Sequence, residues 1–113
     1  MRRLTTCLLA LCLASAHAAT TVVSWYGKAH SHRKTASGEL FNPDALTCAS
    51  WHYPFGTLLR VTNIRNHKTV VVRVNDRGPM DRHRGLDLSE RAAELLGFKQ
   101  AGLAHVTVQV VTP

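Results

Sequence analysis

From Val70 to Asn75 the chain alternates, with Val70, Val72 and Val74 on one side and Val71, Arg73 and Asn75 on the other. β-Branched residues at a period of two predict a pleated, half-buried strand over 69–75. Asn75, Asp76, Gly78 and Pro79 then predict a turn. Continuing the alternation puts Asp76 on the valine side. A carboxylate leaving a strand on its apolar side either sits in a cleft or caps its own Asn-Asp-Arg-Gly turn. Shorter apolar patterns predict further strands at 19–25, 45–49, 57–64, 86–88 and 105–111. In the third of these, Leu59 and Val61 share one side, with Leu58 and Ile64 on the other. In the last, Val106, Val108 and Val110 point inward. Residues 65–68 predict a hairpin loop with Asn66 at a positive φ.

One helix interrupts the strands. Ser89 is a good N-cap, Glu90 suits the positive end, and Ala92, Ala93, Leu95 and Leu96 form an apolar stripe that Gly97 stops. Six short strands with Gly and Pro punctuation and one short helix predict an all-β fold, a small closed barrel rather than a sandwich.

The first residues follow a different pattern. Arg2 and Arg3 precede an apolar run over 4–14, too short to span a bilayer as a helix, and Ala16-His17-Ala18 supplies small residues for cleavage. The expectation is a signal peptide over 1–18, one domain over 19–113, and a periplasmic or secreted protein of the cell envelope. Cys12 follows Leu9-Ala10-Leu11, but Leu11 is large where a lipidation site needs a small residue, which argues against a lipid anchor. Of the 14 Lys and Arg, Arg2 and Arg3 leave with the leader, so 12 remain against 7 Asp and Glu. That basic balance on an exported chain suits an anionic envelope polymer. No basic run interleaved with aromatics and no helix-turn-helix pattern supports nucleic acid as a partner. Cys48 is then the only thiol left, with no internal disulfide partner and a place in the apolar segment Leu46-Thr47-Cys48-Ala49. The pattern calls for no cofactor, and the expected state is a monomer.

Candidate chemistry lies in the connections. His30 and His32 lie two apart in a basic loop, and without a nearby carboxylate or cysteine they read as solvated rather than as metal ligands. Gly38 permits a bend just before Glu39, which is either a solvated turn residue or a functional carboxylate, and Phe41 can anchor this segment on the core. Residues 50–56 are the most aromatic part of the chain. Phe55 is expected in the core, whereas Trp51 and Tyr53 are candidates to line a glycan groove. Glycosidic cleavage needs a proton for the leaving oxygen and stabilisation of an oxocarbenium-like centre. Asp76 offers a carboxyl for this work, with Arg73 and Arg77 beside it. Asp87 is a third carboxylate, between Leu86 and Leu88, and could equally pair with an arginine.

Several stretches together resemble the rare lipoprotein A (RlpA) family. They are Ser24-Trp25-Tyr26-Gly27, TASGELFNPDALT at 35–47, PFGT at 54–57, VTN at 61–63, VRVNDRGP at 72–79 and LDLS at 86–89. The resemblance covers nearly all of the chain after the leader, in order and at compatible spacing. It implies a six-stranded double-psi β-barrel with one short helix, and lytic transglycosylase activity on peptidoglycan glycan strands, with 1,6-anhydro ends as product. It further implies that Glu39 and Asp76 are the functional carboxylates. Asp76 would donate the proton, and Glu39 would stabilise positive charge or help deprotonate the C6 hydroxyl. Trp51, Tyr53, Arg73 and Arg77 would bind substrate. The family's functional His falls at Ser50 in this chain, and His52, one strand step further, is the possible substitute. That departure motivates a second reading, a non-catalytic, expansin-like glycan-binding barrel.

Overall fold

The computed structural model of the protein describes residues 18–112, so residues 1–17 of the expected leader lie outside the described residues. Six strands and one helix follow in chain order: β1 (Ala19–Tyr26), β2 (Thr47–Ala49), β3 (Leu58–Asn63), β4 (Thr69–Asp76), β5 (Leu86–Ser89), α1 (Glu90–Leu96) and β6 (Ala104–Val110). The strands close into a barrel in the order β1-β5-β2-β4-β3-β6. Two neighbouring pairs are parallel, β1 with β5 and β2 with β4, and the rest are antiparallel. The closed six-stranded mixed barrel with one helix is as expected.

The alternation read from the sequence is the inward–outward pleat. Val70, Val72 and Val74 are buried with Leu59, Val61, Val106, Val108, Leu86 and Leu88 in one core. β2 is only three residues long and buried throughout. The ladder between β2 and β4 slips there. Cys48 pairs with Val74 and Ala49 with Asp76, so Asn75 is the extra residue of a bulge. Val74 and Asn75 are therefore buried in succession, and Asp76 emerges half-buried at the strand end on the face opposite Val74, not on the valine side that strict alternation predicts.

α1 forms as its caps require. The Ser89 hydroxyl accepts from the Ala92 N–H at 3.3 Å, and Gly97 closes the helix at φ 79. Ser89 also donates to the Ala45 carbonyl at 2.6 Å, which ties the helix start to the loop before β2. Among the described residues no helix is long and apolar enough to cross a membrane.

Four further expectations are corrected. Phe55 is not in the core. The residue is 42% exposed and its ring lies under the Arg77 guanidinium, 3.9 Å from the ring centroid, in the connection between β2 and β3. The positive φ of the hairpin falls on His67 (φ 64) rather than Asn66, whose side chain instead accepts from Lys68 N–H and donates to the Leu96 carbonyl. Leu95 and Val110 are exposed, since the core-facing stripe of α1 ends with Ala92, Ala93 and Leu96, and Val110 lies at the last position of β6.

Candidate functional site

Asp76 ends β4, and its carboxylate is held by donors from two sides. Oδ1 accepts from the Ala36 N–H at 2.9 Å and from the Arg77 N–H at 2.8 Å, while Oδ2 accepts from the Tyr26 hydroxyl at 3.4 Å. The 35–39 turn reaches this position because Gly38 takes φ 95 and the Ser37 N–H donates to the Asn75 carbonyl. Two short sequence motifs thus meet through the backbone: the turn before Glu39 supplies a donor to Asp76.

Glu39 itself turns outward. Arg73 clamps it bidentately, Nη1 to Oε1 at 2.8 Å and Nη2 to Oε2 at 3.1 Å, and both side chains are substantially exposed. The Arg73 guanidinium holds the Glu39 carboxyl below its usual range, with smaller help from Asn75 and Ser37. Glu39 is therefore an ionised, oriented carboxylate and a poor proton donor.

The carboxyl that does share a hollow with Asp76 is Asp87. Ala49 pairs with Asp76 on one side and with Asp87 on the other. Directly opposed residues face the same side of a sheet, so the two aspartates flank the small Ala49 side chain, with backbones about 10 Å apart across two strand spacings. An open hollow of about 170 Å³ lies over them, lined by Tyr26, His30, Ala49, Asp76, Arg77, Asp87 and the 78–80 segment. Asp87 is mostly buried. Ser24 Oγ donates to its Oδ1 at 2.9 Å, and Arg84 in turn donates to Ser24 Oγ at 2.6 Å. Burial pushes the Asp87 carboxyl above its ordinary value and the neighbouring Asp76 adds to this, outweighing the downward pull of Ser24, Arg84 and His30. Tyr26 is stacked on Phe41 at 4.5 Å. Its hydroxyl is also pushed up, by burial first and then by Asp76 and Asp87, so it stays a neutral donor.

The remaining expected residues divide. Ser50 is fully buried, and its hydroxyl accepts from the N–H groups of His52 and Tyr53 at 3.0 and 3.3 Å, a local turn rather than a reactive group. His52 is exposed and does not line the hollow. Arg77 lines it, with Nη1 donating to the Ser50 and Tyr53 carbonyls at 2.9 Å each. Trp51 is 48% exposed, with its indole N–H fixed on the Pro79 carbonyl at 2.7 Å, so a flat aromatic face stands beside the 78–80 rim. Tyr53 is half-buried and packs on the core. Among the described residues no group of three or more His, Cys, Asp or Glu is arranged to hold a metal ion, and His30 and His32 line different hollows. Tyr26, His30 and the pairing of Asp87 with Asp76 escaped the sequence reading. The one available signal was Tyr26 within the Ser24–Gly27 motif.

A family model described as lytic transglycolase matches residues 14–108. The chain is 48% identical over 90 residues to the probable endolytic peptidoglycan transglycosylase RlpA of Synechocystis sp., covering 80% of this chain and 28% of that protein. It is 46% identical over 90 residues to the endolytic peptidoglycan transglycosylase RlpA of Neisseria meningitidis, covering 80% of this chain and 38% of that protein. The chain thus spans between a quarter and two-fifths of the length of these relatives. Among solved structures, the apo expansin of Clavibacter michiganensis superposes with a TM-score of 0.66 at 25% identity, over 84% of this chain and 50% of that one. The barrel is of the double-psi kind.

Proposed function

The chain belongs to the lytic transglycolase family, and on that premise we propose that it cleaves peptidoglycan glycan strands by intramolecular transglycosylation, leaving 1,6-anhydro ends. The observation that carries this reading is the pair of aspartates facing one open hollow across Ala49, one of them pushed toward its protonated form. Asp87 gives its proton to the glycosidic oxygen as the bond to the anomeric carbon breaks. Asp76, held by two N–H groups and the Tyr26 hydroxyl, presents its negative charge to the oxocarbenium-like centre. The sugar's C6 hydroxyl closes on that carbon, so water is not consumed, and the hydroxyl's proton needs an acceptor on the wall of the hollow. This gives the donor role to Asp87 rather than Asp76. Glu39, through its clamp to Arg73, fixes the turn that presents the Ala36 N–H. Trp51 offers a sugar-stacking face, with Tyr53 behind it and Arg77 on the rim.

The same reading has the protein exported through a leader over 1–18 and acting in the cell envelope as a monomer. N-terminal sequencing of exported protein should begin at Ala19. Activity is tested by incubating the protein with purified glycan strands and quantifying 1,6-anhydro ends by mass spectrometry. Product from wild type, with loss in Asp87→Asn and Asp76→Asn, is expected; no product from a folded wild type removes the reading.

One observation favours a second reading, an expansin-like barrel that binds glycan without cutting it. Ser50 stands at the position where the resemblance read from the sequence implies a functional histidine, and it is buried and committed to a turn. Sedimentation with insoluble peptidoglycan separates the two: binding that Trp51→Ala weakens, without anhydro product, supports the second.

A further inference from the structure

The hollow is lined by five ionisable or charged side chains, and four are already committed. Asp76 accepts at both oxygens. Arg77 holds two carbonyls. The Tyr26 phenol stays neutral and donates to Asp76. Asp87 is the proton donor. Glu39 is outside the hollow and clamped by Arg73. The side chain left over is His30.

Its placement is built rather than incidental. Residues Lys28–His30 form a single 3-10 turn directly after β1, with the His30 N–H donating to the Gly27 carbonyl at 2.8 Å and the His30 carbonyl accepting from the Arg33 N–H at 3.1 Å. The imidazole stands edge-on to Tyr26, with ring centroids 5.5 Å apart. It is exposed, so a sugar in the hollow can reach it. A positive charge on it acts on Asp87.

We infer that His30, in the loop after β1, is the base of the proposed reaction. The inference rests on the transglycosylase reading. In the step, the C6 oxygen forms its bond to the anomeric carbon while its hydrogen passes to the neutral imidazole. The bond from the anomeric carbon to the leaving oxygen breaks, and that oxygen carries off the proton from Asp87. Imidazolium and carboxylate are then left facing one hollow. Transfer of the proton from His30 to Asp87 restores both groups, with no water or other reactant consumed.

The test uses the full chain and purified glycan strands, with the rate of anhydro-end formation followed in wild type, His30→Ala and His52→Ala. General-base removal costs on the order of a hundredfold or more. His30→Ala is expected to lose that much in kcat with KM within about twofold, and to regain rate when free imidazole is added, because the hollow is open. A structural role for the ring would not respond to imidazole. His52→Ala is expected to match wild type. The inference is overturned if His30→Ala keeps its rate, if imidazole restores nothing, or if His52→Ala carries the loss instead. A folded wild type that yields no product removes the transglycosylase reading itself, and His30 with it. An active wild type with an active His30→Ala removes only His30.

Discussion

Asp87→Asn separates the chemistry of this carboxyl from its place in the fold. Asparagine keeps the shape and can still accept the Ser24 hydrogen bond through its carbonyl. It cannot give up a proton at neutral pH. If Asp87 is the acid, cleavage should fall by about 10²–10⁴-fold, the usual size of a general-acid contribution, or about 3–5 kcal/mol in the barrier. Stability should move the other way. The folded-state pKa of Asp87 lies above the unfolded value of 3.8 because burial opposes its charge. Between those two values the folded protein binds more protons than the unfolded chain, so this group's contribution falls as pH rises through its folded pKa. Wild type therefore carries a penalty at neutral pH that is absent below the unfolded pKa, and asparagine removes it. Melting temperatures of both proteins by circular dichroism at a series of pH values give the difference directly, since unaffected groups cancel. The expected result is an inactive variant at least as stable as wild type at pH 7, with the two curves converging toward pH 3. A variant that keeps activity within threefold refutes the acid assignment. One that is less stable at pH 7 refutes the account of the raised pKa.

Three further outcomes follow from geometry away from the hollow. Ser89→Ala removes both the α1 N-cap and the donor to the Ala45 carbonyl. At about 1 kcal/mol for the cap and a further 1 kcal/mol or more for the orphaned carbonyl, the melting temperature should drop by roughly 10 °C, whereas a drop under about 3 °C contradicts the role given to this side chain. Cys48 is fully buried and its thiol is pushed up to about 12, by burial first and Asp87 second. In the chain from Ala19 it should resist a thiol-exchange reagent at pH 8 until denaturant is added, and rapid labelling of the native protein would show that β2 opens. Arg73→Ala should cost less than about 1 kcal/mol, because an exposed ion pair is screened by water. Glu39 has a lowered pKa, so that small contribution is present at neutral pH, is lost as pH falls through the carboxyl's folded pKa, and shrinks in high salt. A loss of cleavage much larger than this stability change would locate the role of the pair in holding the 35–39 turn.

What could be read along the chain was whatever the chain decides locally. The valine alternation of β4, the Ser89 cap, the Gly97 stop and the bend at Gly38 each depend on a few neighbouring residues, and each is found where expected. Phe55, Val110 and Leu95 were misplaced because hydrophobicity alone does not say which apolar positions lie past the edge of the core. The same limit hid the partnership of Asp76 and Asp87. Strict alternation placed Asp76 without the bulge at Asn75, and that bulge arises only because β2 pairs with β4. The site depends on this insertion. β2 has three residues and runs between β4 and β5, so the last residue of β4 and the second of β5 must come level across whatever β2 holds there. At that point the residue is alanine. Its methyl group is small enough to sit buried beneath the 78–80 segment between the two aspartates, while Leu88 on β5 and Val74 on β4 supply core side chains on the other face. A longer side chain at position 49 would fill the hollow and part the aspartates without disturbing either acidic motif. The acidic motifs are therefore necessary for the proposed chemistry, and the small residue between them, which no periodicity singles out, sets whether they can act together.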